Sequence, residues 1–152
     1  MPNETAPSFT PTLTTGSAYA AGNCVGGIQT VTVPPSRPIL QSLVLSDAAA
    51  QASALEFLFF NSAPAGGTYT NKVALALSAA DQAKLIGKLT VAAADWSTVG
   101  GFSTLSKAAG AQPMSGVGTS GTLYVLIAIG TGSTPTWTGA GNLVINPGFV
   151  QG

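Results

Sequence analysis

The chain has 152 residues, 45% of them hydrophobic and only 7% charged, against about 25% charged in ordinary globular chains. Five basic and five acidic residues leave no net charge, which removes the electrostatic footprint that nucleic acid or an acidic lipid surface requires. Histidine is absent and Cys24 is the single cysteine, so the commonest general base, the commonest metal ligand and any intramolecular disulfide are excluded together.

A chain of this length predicts one domain able to bury roughly 70% of its unfolded surface. Its exterior must be Ser, Thr, Asn, Gln, Gly and Ala, a surface poorly protected against self-association, which points to life in an assembly. The first residues show neither a basic n-region nor an apolar h-region, and no stretch approaches the roughly 18 apolar residues of a membrane span. Synthesis and assembly in a cytoplasm are expected, with no membrane partner.

Residues 1–23 carry Pro2, Pro7 and Pro11 among small polar residues, with Phe9, Leu13 and Tyr19 as the larger apolar or aromatic side chains. Such a segment cannot bury enough surface alone to offset its ordering entropy. It is either a floppy tail or, as self-association favours, an extended arm whose Phe9, Leu13 and Tyr19 anchor it on a neighbour or an underlying lattice, followed by a β-domain over 24–152. Cys24 is expected to be a small buried hydrophobe. Val25–Val33 reads as a strand, stopped by Pro34, Pro35 and Pro38.

Ile39–Asp47 alternates Leu43 and Leu45 against Val44. Ser53–Pro64 places Leu55, Phe57 and Phe59 on one face and Leu58 and Phe60 on the other, so it should be a central strand buried on both sides. The two are predicted to form a hairpin. Glu56 lies inside the second run and must be solvated at an edge or paired, with Arg37, Lys72 or a neighbouring subunit's base as partner; it is a candidate inter-subunit contact. Ser78 and Asp81 form a capping-box pattern over a helix from Ala79 to Ile86, closed by Gly87, with Asp81, Lys84 and Lys88 expected to face solvent.

Lys88–Ala94 reads as a strand, and Trp96, Phe102 and Leu105 mark short strands or an ordered loop broken by Gly100 and Gly101. Gly110–Gly121 is turn-like. Within it Gly116–Gly121 matches G-x-G-x-x-G, but it precedes the strand Leu123–Gly130 and opens no helix, so it reads as a hairpin loop rather than a nucleotide site. Thr131–Thr138 is a loop whose Trp137 needs cover, a further candidate contact, and Asn142–Val150 closes the chain. Seven or eight strands with one short helix predict an all-β antiparallel sandwich or jelly-roll-like domain. The acids are dispersed, no Ser-x-x-Lys motif occurs, and no catalytic, cofactor or metal residue is assigned.

Taken in order, SAYAAGNCVGG (Ser17–Gly27), ILQSLVLSD, LEFLFFNSAP (Leu55–Pro64) and LSAADQAKLIG (Leu77–Gly87) resemble a group of small virion proteins from the head-gene clusters of tailed bacteriophages. The resemblance implies a capsid decoration, or cement, protein: a β-rich subunit, often a homotrimer, on the capsid exterior over junctions of the major capsid protein. Two other roles stay open. One is a tail, neck or fibre component; the other is a carbohydrate- or surface-binding module using Trp96, Trp137, Tyr69 and Tyr124 as stacking platforms.

Overall fold

The computed structural model describes residues 4–5, 7–35, 37–117 and 121–152. Among these, nine strands form: β1 (Glu4–Thr5), β2 (Gln29–Thr32), β3 (Pro38–Asp47), β4 (Leu55–Phe60), β5 (Leu85–Val91), β6 (Ser97–Val99), β7 (Phe102–Pro113), β8 (Thr122–Ile129) and β9 (Leu143–Gln151). One sheet has the order β1-β9-β3-β7-β6, the other β2-β8-β4-β5, and every ladder is antiparallel. Setting β6 aside as a short addition to β7, one sheet takes the first, eighth, third and sixth strands and the other the second, seventh, fourth and fifth. That order is a jelly roll, two Greek keys folded face to face.

Alternation in the strands builds the core between the sheets. Leu43 and Leu45 of β3, Leu105 of β7 and Ile145 and Phe149 of β9 face Leu55, Phe57 and Phe59 of β4 and Val125, Ile127 and Ile129 of β8. Each such side chain contributes roughly 1.5–3 kcal/mol on burial. β4 sits between β8 and β5, and its other face is covered too: Leu58 and Phe60 join Cys24 and Leu126 beneath Tyr69, Leu75, Leu77 and Tyr124. The 61–78 segment thus roofs one sheet, which explains why β4 is apolar on both sides.

Three expectations are corrected. β3 and β4 are not a hairpin: β3 pairs with β7 and β9, β4 with β5 and β8. Both need their inward residues in the same core, so the chain crosses from sheet to sheet between them, through Ala50 and Ala52 at φ of 52° and 47°. Gly116–Gly121 is likewise no hairpin loop, because β7, which runs on to Pro113 through the turn-like 110–113, and the following strand belong to different sheets; Gly118–Ser120 lie outside the described residues. The helix α1 is a single turn, Ala79–Gln82, with Ser78 as N-cap. Gly87 does not close it but pairs with Phe59 inside β5, since the ladder to β4 captures the chain from Leu85 onward.

The N-terminal segment is extended but lies on its own domain. β1 pairs with β9, Phe9 exchanges two 2.9 Å backbone hydrogen bonds with Ile145, and Leu13, Gly16, Tyr19 and Gly22 donate to Ala140, Trp137, Pro135 and Ile129. Edge strands are hazardous unless covered, and here the chain's own start covers β9.

Candidate interaction surface

Charge is scarce, and the fold neutralises most of what there is. Lys84 meets Asp81 at 2.9 Å, Lys88 meets Glu56 at 3.3 Å and Lys107 meets Asp95 at 2.6 Å. Lys72 bonds the Ser17 hydroxyl and lies 5.8 Å from the Tyr19 ring centre. Arg37 is exposed and its guanidinium has neither hydrogen bond nor ion pair among the described residues.

Two carboxylates are buried for structural reasons. Asp47 accepts from the Ala49 and Gln51 amides at 2.9 and 3.0 Å and from the Trp137 indole Nε1 at 3.2 Å. Asp81, expected at the surface, is fully buried. It accepts from the Tyr69 hydroxyl, the Ser78 hydroxyl, the Ala65 and Gly66 amides and Lys84 Nζ. The Tyr69 hydroxyl above all, then Lys84 and the two amides, hold its carboxyl well below the usual range against the opposing effect of burial. Burial pushes the Tyr69 hydroxyl up, and Asp81 adds to that. The knot these groups make ties residues 65–84 to one another, Tyr69, Leu75 and Leu77 packing on Leu58 and Phe60 of β4, and its acid is committed to hydrogen bonds rather than exposed for chemistry.

The residues singled out as contacts divide. Leu13, Tyr19 and Trp137 are buried in the chain's own core, with the Tyr19 and Trp137 rings edge to face at 4.9 Å. They are therefore withdrawn as inter-subunit anchors, and Trp137 also as a stacking platform. Phe9 is half-buried against the same core. Glu56 is 39% exposed and faces solvent beside Lys88, rather than Arg37 or Lys72. Cys24 is buried, which raises its thiol above the ordinary value and keeps it protonated.

Beside these few charges, what remains accessible is largely apolar or uncharged. The outward face of the larger sheet carries Val44 between Ser106 and Asn146, flanked by Ser42, Ser46, Thr104 and Ala108. At one end of that sheet β6 and β7 form a hairpin whose two-residue turn, Gly100–Gly101, has φ of 59° and 87°, the left-handed pair such a turn requires. Its tip presents Val99, 63% exposed, opposite Phe102, 49% exposed. At the other end Arg37, Pro38, Ile39, Pro113 and Met114 line a cavity of about 450 Å³. The sequence had signalled the turn through its paired glycines, but nothing in it set Phe102 apart from core aromatics. Among the described residues no group of three His, Cys, Asp or Glu side chains is placed to hold a metal, and no helix is long and apolar enough to cross a membrane.

Fold and surface together define an all-β jelly-roll domain with a neutral, partly apolar exterior. No family model matches the chain, and no curated protein matches it.

Proposed function

We propose that this chain is a structural virion protein, a capsid decoration subunit that docks as a homo-oligomer, most simply a homotrimer, on the major capsid protein lattice at the capsid exterior after synthesis in the host cytoplasm. The observation that carries the reading is the neutral surface: six of the chain's few charges are cancelled in ion pairs within it, while Val44, Val99 and Phe102 stand exposed. A surface of this kind suits contact with protein better than with nucleic acid or anionic lipid. Jelly rolls serve in viral capsids and also in lectins, so the fold raises the expectation without deciding it.

The resemblance of the Ser17–Gly87 motifs to phage head proteins supplies the particular partner. Many weak contacts repeated over a lattice add through effective concentration, so no catalytic or cofactor role is invoked. Cosedimentation of the purified chain with expanded phage capsids tests this. Saturable binding that raises the capsids' resistance to heat is expected, and a chain that stays in the supernatant at every ratio overturns the reading. A tail, neck or fibre position would appear in the same experiment as binding to those parts and not to heads.

A further inference from the structure

The hairpin tip and the cavity lie at opposite ends of one strand. Phe102 opens β7 and Pro113 ends it, a separation on the order of 36 Å at the usual rise per residue. Within one chain neither can meet the other. We infer that the Val99–Phe102 tip of one copy inserts into the cavity at the start of β3 and the end of β7 of a second copy, a head-to-tail contact. The inference rests on the reading of the chain as an assembling subunit, but not on the capsid as its partner.

The two surfaces match in chemistry and size. The cavity is walled by Pro38, Ile39 and Pro113, with the buried Met114 beneath, an apolar wall for an aromatic ring. Arg37 lines it too, its guanidinium without a partner among the described residues, and an arginine over an aromatic face gains a cation–π attraction. An apolar cavity of about 150 Å³ holds a benzene ring; this one, at about 450 Å³, admits the Phe102 ring with Val99 beside it. The tip is narrow because its turn is two glycines, and its base is fixed by the Lys107–Asp95 pair and by the Ser97–Thr104 hydrogen bonds. A contact that joins two different patches closes into a ring when the rotation permits and otherwise propagates, so a closed trimer is one of its natural products.

The test uses sedimentation velocity on the purified chain, without capsids, so that failure of capsid binding and failure of this contact are separately visible. Wild type should associate with rising concentration. Phe102→Lys, which sets a cation against Arg37, and Ile39→Lys, which charges the cavity wall, should each weaken association by more than about tenfold, as loss of a central anchor does. An equimolar mixture of the two variants should recover one-to-one dimers and nothing larger, because each pair retains one intact tip and one intact cavity. Circular dichroism checks that both fold, and the exposed Pro113→Lys replaces Ile39→Lys if it does not. A wild type still monomeric at about 1 mM, a cavity variant that associates like wild type, or a mixture that recovers no dimer overturns the inference.

Discussion

The Trp137 indole Nε1 donates to the Asp47 carboxylate at 3.2 Å across 90 residues of sequence. The bond ties the loop before β9 to the end of β3, and both partners are buried. Asp47→Ala leaves that indole and the Ala49 and Gln51 amides without their acceptor, and should cost about 3 kcal/mol by urea denaturation. Trp137→Phe keeps the edge-to-face packing on Tyr19 but removes the donor, and combining the two substitutions should give less than the sum of their separate effects.

Asp81 should govern the acid limb of stability. Its folded-state carboxyl titrates well below the unfolded value of about 3.9. Its contribution is therefore present in full above that value and is lost as pH falls through the folded one. Melting temperature followed from neutral pH down to about pH 2 should drop for wild type below about pH 4, whereas Asp81→Asn should start lower and follow a flatter course. Equal acid slopes for the two proteins would contradict this account. Asp95, lowered chiefly by its hydrogen bond to Lys107, contributes in the same direction and remains in both.

Removing residues 1–15 should unfold rather than merely detach. The deletion takes away the buried Leu13 and both Phe9–Ile145 hydrogen bonds. Leu13→Ala alone should cost about 2–4 kcal/mol, the range for a buried leucine, and the truncation at least as much. Limited proteolysis of the truncated chain should then cut within the domain.

Glu56, by contrast, should be nearly silent. It and Lys88 are 39% and 50% exposed, and exposed ion pairs contribute little. Glu56→Gln should shift stability by less than about 0.5 kcal/mol and leave the sedimentation profile unchanged.

Much of the fold was legible because strands announce themselves through alternation and turns through glycine and proline. Leu43 and Leu45 against Val44, and the two-sided apolar run around Phe57 and Leu58, placed the core without error. Pairing was not legible: adjacent runs such as β3 and β4 look like a hairpin unless one knows that both must point into one shared core. Asp81 escaped for a related reason, since a Ser-x-x-Asp cap normally faces water and nothing local shows that Tyr69 and two loop amides will close over it. The aromatic residues of the N-terminal segment were read as anchors on a neighbour, whereas their receiving surface belongs to the same chain, more than a hundred positions later: Trp137 for Tyr19 and Ile145 for Phe9.

The ladder that joins Glu4 to Val150 also has a consequence in time. During synthesis the first strand leaves the ribosome with no sheet to join until the last has been made, and β3 waits for both β7 and β9. Pairings between such distant segments make folding slow, in the millisecond-to-second range on release from denaturant. Until β9 arrives, one edge of β3 stands open to other nascent chains even after β7 has paired, so rapid expression of this protein should favour aggregation more than its final stability would suggest.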